Sequence, residues 1–170
     1  MRRLALGTAL LLATPSAAPA QANGTVAVRA VLATEPLAIV STSSLDFGPV
    51  LPGIAATVNP RTGLNAGEFA VQGFRRADFT ATFALPTQLA VGPYTMPIVF
   101  GAQSGCQDKD SRGACKFFDP RVPFTGQIAN RAPPQNTFFF WLGGTVTPAP
   151  AQQPGFYRGT ITLQVAYTGA

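Results

Sequence analysis

Along this chain apolar residues recur at every second position in several short stretches, the period that sets one face of an extended strand against a core. The clearest stretch is the last, Gly155 to Tyr167, where Tyr157, Gly159, Ile161, Leu163, Val165 and Tyr167 share one side and Thr160, Thr162 and Gln164 the other. Near the start, Val26, Val28, Ala30 and Leu32 alternate with Thr25, Ala27, Arg29 and Val31. Between these, strands are predicted over 37–40, 55–59, 68–73, 78–85, 94–102 and 137–147. Turn residues stand between them: Glu35-Pro36, Leu45-Asp-Phe-Gly-Pro-Val-Leu-Pro-Gly53, Pro60-Arg-Thr-Gly63, Gly92-Pro93 and the prolines at 148, 150 and 154. No window has helical periodicity, and 17 Gly with 16 Pro oppose long helices. Many short strands with no intervening helix predict an all-β antiparallel fold, a β-sandwich.

The first residues do not fit that pattern. Met1-Arg-Arg precedes an apolar run, then small residues end at Ala20-Gln-Ala22, the order of a secretory signal peptide with a small-x-small cleavage site. The run is shorter than the roughly 20 residues a bilayer span needs. Residues 1–22 are therefore expected to be a removed signal segment, with 23–170 a single exported domain and no membrane span.

Composition narrows the function classes. Charged residues make up 11% of the chain against 46% hydrophobic ones, and the formal charge of +5 includes Arg2 and Arg3 of the leader. The remaining basic residues are scattered, so no nucleic-acid footprint is expected. There is no histidine, and hence no ordinary catalytic triad or His-based zinc site. No nucleophile elbow or phosphate loop appears. The chain is read as non-enzymatic, without cofactor.

Two cysteines, Cys106 and Cys115, are close in sequence. In an exported chain this spacing is expected to be a disulfide pinning a hairpin or loop. Between and after them, Asp108, Asp110, Gly113 and Asp119 fall on four places of a calcium-loop pattern, but Arg112 takes a ligand place and the last place lacks its bidentate Glu. A solvated loop with locally paired charges is expected instead. Asp46 is expected to hydrogen-bond the backbone of its own turn. Phe138, Phe139, Phe140 and Trp141 must cover both faces of a strand. Either both faces are buried, or Phe138, Phe140 and Trp141 offer an exposed platform for a glycan or protein.

Leu45-Asp46-Phe47-Gly48, Gly53, Phe69-x-Val71-x-Gly73, Leu85-Pro86, Gly143-Gly144-Thr145 and Pro154-Gly155-x-Tyr157-x-Gly159 together resemble the bacterial secreted family described as domain of unknown function 4402. The resemblance implies an immunoglobulin-like, pilin-like sandwich exported by Gram-negative bacteria, similar in style to spore coat protein U. More distantly the chain resembles chaperone-usher pilins, whose final strand carries a glycine and, twelve residues on, a tyrosine, as do Gly155 and Tyr167 here. That likeness implies a donor strand at Val26, Val28, Ala30 and Leu32 and an acceptor edge at Gly155, Ile161, Leu163, Val165 and Tyr167; the alternation of Val26 to Leu32 equally fits a first strand at the edge of the chain's own sheet. It implies as partners copies of the same chain or other surface subunits, and a periplasmic chaperone. The expected location is the periplasm, the cell surface or the medium. Two functions stand open: a structural subunit of a fibre or coat, and a monomeric binding module using the aromatic strand.

Overall fold

A computed structural model describes residues 36–168, all within one compact unit that begins at Ala33. The expected leader, residues 1–22, and the alternating segment of Val26, Val28, Ala30 and Leu32 lie outside the described residues. Twelve strands follow in order: β1 Ala38–Ser43, β2 Ala56–Val58, β3 Gly67–Gln72, β4 Asp78–Ala84, β5 Gln88–Val91, β6 Tyr94–Val99, β7 Gly105–Asp108, β8 Lys116–Phe118, β9 Phe124–Gln127, β10 Thr137–Leu142, β11 Gly144–Val146 and β12 Thr162–Tyr167. A 3-10 turn, Arg112–Ala114, is the helical element among the described residues.

Every strand pairing among the described residues is antiparallel. The strands form a five-stranded sheet (β1-β3-β10-β7-β8), a four-stranded sheet (β2-β11-β6-β5) and a three-stranded sheet (β12-β4-β9). The five- and three-stranded sheets face each other across phenylalanine rings, as stacking of one-sided apolar sheets requires. Phe140 of β10 is at the centre, fully buried, with the rings of Phe79, Phe83, Phe118, Phe124 and Phe138 at centroid distances of 6.2, 5.4, 5.4, 5.3 and 5.1 Å. A second core of Met96, Ile98, Phe100 and Val146 belongs to the four-stranded sheet.

Gly143 carries the chain from β10 in one sheet into β11 in the other. Its N–H donates to the Ser104 carbonyl at 2.8 Å. A Cβ here would lie 2.0 Å from the Val58 carbonyl oxygen and 2.8 Å from the Pro60 ring, and both are held by their own backbone. Gly143→Ala should therefore separate the two sheets locally and lower stability by about 3 kcal/mol, the upper range for overpacking. Chemical denaturation of the variant beside wild type measures this; an unchanged midpoint would contradict the contact.

The architecture matches the expected all-β antiparallel sandwich, with local differences. The Ser/Thr run after Val40 continues β1 because its hydroxyls are satisfied across the strand: Thr42 Oγ1 donates to Glu68 Oε1 at 2.7 Å, and Ser43 Oγ to the Ala66 carbonyl at 2.8 Å. β5, β7, β8 and β9 were not expected as separate strands. Each has four residues or fewer, too short for alternation to rise above its surroundings. The largest difference is at the end: the long final strand is regular only from Thr162, and the residues before it touch β5 through one bridge, Ala90 to Arg158.

Candidate functional site

That incomplete strand forms one wall of a groove of 1140 Å³. Residues 41–52 make one wall and residues 152–161 the other, over an apolar floor that includes Phe69, Leu89, Met96, Ile98 and Val146. The floor is the second core seen from outside, with Leu45, Phe47, Val50, Tyr157 and Ile161 packed around it.

The walls are built from local chemistry. In the first, Asp46 Oδ1 accepts the Gly48 N–H at 2.8 Å, and Gly48 takes a φ of 63°, a conformation glycine enters freely. This is the turn role expected for Asp46. In the second, the Tyr157 hydroxyl accepts from Gln152 Nε2 and donates to the Gln153 carbonyl at 2.8 Å, while Gln152 Nε2 also reaches the Thr95 carbonyl at 3.2 Å. Gly155 and Gly159 let this wall lie flat against β5: a Cβ on Gly155 would meet Val91 at 3.1 Å, and one on Gly159 would meet Leu89 at 2.7 Å.

The backbone of this second wall is half used. Arg158 donates to the Ala90 carbonyl at 3.0 Å and accepts from the Ala90 N–H at 2.8 Å, so both of its groups point at β5. By the two-residue period of an extended chain, the groups of Tyr157 and Gly159 point the other way, into the groove. Among the described residues no backbone group pairs with them. An apolar floor beside a backbone edge that no other described residue pairs with presents the two features that bind an extended segment.

Of the expected acceptor edge, Gly155 and Ile161 line this groove. Leu163 and Val165 lie further along in β12, facing Phe83 and Ala81 of β4, and Tyr167 ends the strand with its hydroxyl accepting the Phe74 N–H at 2.8 Å. Two of the five residues expected at that edge thus line the groove, and Leu163, Val165 and Tyr167 lie outside it. Sequence reasoning missed the opposite wall and the floor; the break in alternation from Leu45 to Gly53 marked a turn region but not what it faces.

The exposed-platform reading of the aromatic strand is corrected. Phe138, Phe140 and Trp141 are each at most 4% exposed, because β10 is central, between β3 and β7. Phe138 and Phe140 enter the ring cluster. Trp141, on the outer face, is buried with Cys106, Cys115 and Phe139, its Nε1 donating to Glu68 Oε2 at 2.6 Å. A binding module built on those rings has no open face to use.

The cover over Trp141 is the expected disulfide, Cys106–Cys115, which closes the β7–β8 hairpin with Cα atoms 5.6 Å apart. Two arginines tie this hairpin to the 59–63 turn: Arg61 donates to the Cys115 carbonyl, and Arg112 to the Gly63 carbonyl at 2.8 Å. The carboxylates of the calcium-like pattern serve separate partners. Asp108 accepts the Asp110 and Ser111 N–H groups, Asp110 pairs with Arg131, and Asp119 pairs with Arg121 at 2.7 Å. The Arg121 hydrogen bonds hold the Asp119 carboxyl down at about 2.

Comparison with family models, curated proteins and solved structures gives no match.

Proposed function

We propose that this protein is an exported, non-enzymatic structural subunit of a surface fibre or coat, an immunoglobulin-like, pilin-like sandwich whose copies join by strand addition. The apolar face of Val26, Val28, Ala30 and Leu32 from one copy lies over the groove floor of the next. Its backbone pairs with the edge at Tyr157 and Gly159. Main-chain hydrogen bonds supply affinity, and alternate side chains fix the register, since a slip of one residue would turn Arg29 and Thr25 inward.

The observation that carries this reading is a backbone edge at Tyr157 and Gly159, unpaired among the described residues, above an apolar floor in the groove. The signal-like leader and the disulfide support export. A periplasmic chaperone would have a role in covering the same edge before assembly, because an open apolar edge invites aggregation. Size-exclusion chromatography with light scattering over a concentration series tests the reading. The exported protein, starting near Asn23 by mass spectrometry, is expected to form oligomers that grow with concentration. A protein that stays monomeric throughout would overturn it.

A further inference from the structure

We infer that in the assembled protein an apolar apron of Leu51, Ile54 and Phe156, at one end of the groove, is covered by the end of the next copy that carries Phe74. This inference rests on the strand-addition reading and goes beyond it to the contact between the folded bodies. The three apron residues are unusually open for their type, at 64%, 58% and 86% exposure. They belong to one end of the groove: the Gly53 N–H, between Leu51 and Ile54, reaches the Pro148 and Ala149 carbonyls, and the Ala149–Gln152 turn leads directly to Phe156. Exposed apolar side chains gathered in one part of a surface mark interaction sites.

The occupant follows from polarity and reach. All nine strand pairings among the described residues are antiparallel, and an incoming strand pairs the same way with the 157–161 wall. That wall runs from Phe156 toward Tyr167, so the incoming strand runs oppositely and its Leu32 emerges beside Phe156. Only residues 33–36 then separate Leu32 from Leu37 of the same incoming chain. The five steps from Leu32 to Leu37 reach about 18 Å at most. The next copy's Leu37 must therefore stand close to the apron. Within each copy Leu37 packs beside Gly73 and Tyr167, and Phe74, which follows Gly73, is exposed at that end. The contact is head-to-tail, and repeating it builds a filament without a closing symmetry.

Phe156→Arg tests this, since an exposed position tolerates arginine without unfolding. Two measurements are made on the mature chain: self-association by sedimentation, and binding of a synthetic peptide of residues 23–35, which brings the strand but no folded body. The expected result is self-association weakened by about tenfold or more, as for a central aromatic contact, with peptide affinity within about twofold of wild type. Phe74→Arg should weaken self-association to a similar extent. Self-association like wild type in either variant would overturn the inference while leaving strand addition standing. Peptide binding weakened as much as self-association would also overturn it, by placing Phe156 on the strand instead of the neighbouring body. A wild-type chain that neither binds the peptide nor self-associates would sink strand addition itself, and this contact with it.

Discussion

Phe140→Ala is expected to lower the free energy of unfolding by about 4 kcal/mol, within the range for truncating a buried phenylalanine. Phe140 has no exposed surface and touches five other rings. Its loss leaves a cavity bounded by strands of both facing sheets, which cannot close without moving one sheet toward the other. Two of its neighbours, Phe118 and Phe124, belong to the short strands β8 and β9, so those edges should fray first. Urea denaturation followed by Trp141 fluorescence gives the value. A loss below about 1 kcal/mol would mean that the ring cluster is not the centre of the fold.

Val28→Asp should have the other large effect, on assembly. In the proposed complex this side chain faces a floor that includes Met96, Ile98 and Val146, where a carboxylate finds no partner. An unpaired buried charge costs about 3–5 kcal/mol, which weakens association a hundredfold or more. The oligomers should vanish while the monomer keeps the wild-type melting temperature. A monomer that melts well below wild type would instead make the segment a permanent edge of its own sheet, and strand exchange between copies would be wrong.

The fold was legible where pattern and burial coincide. β4 alternates buried and open positions as its sequence alternates, and β12 places Leu163 on the core face as its period requires. The disulfide and the Asp46 turn are local, and nearby residues announced both. The aromatic run was legible only in part. Four consecutive rings say that both strand faces are used, but whether the outer face is wet depends on the Cys106–Cys115 hairpin and on Arg61, which arrive from elsewhere in the chain. The groove was hidden for the same reason. Its walls, near Leu45 and Tyr157, are more than a hundred residues apart, and neither reads as a site alone. The apparent strand from Gly155 to Ile161 has strand-like alternation, yet it pairs with β5 only at Arg158. A repeating pattern reports which side a residue faces, not whether a neighbour is present.

The central claim is that the edge at Tyr157 and Gly159 receives a strand. The direct measurement is amide hydrogen exchange on the monomeric Val28→Asp protein, before and after adding the synthetic peptide of residues 23–35. Strand addition predicts that the amides of Tyr157, Gly159 and Ile161 become protected when peptide is bound, while that of Arg158, already bonded to Ala90, changes little. Peptide that leaves the Tyr157 and Gly159 amides exchanging as before, at concentrations where wild-type chains assemble, would contradict it.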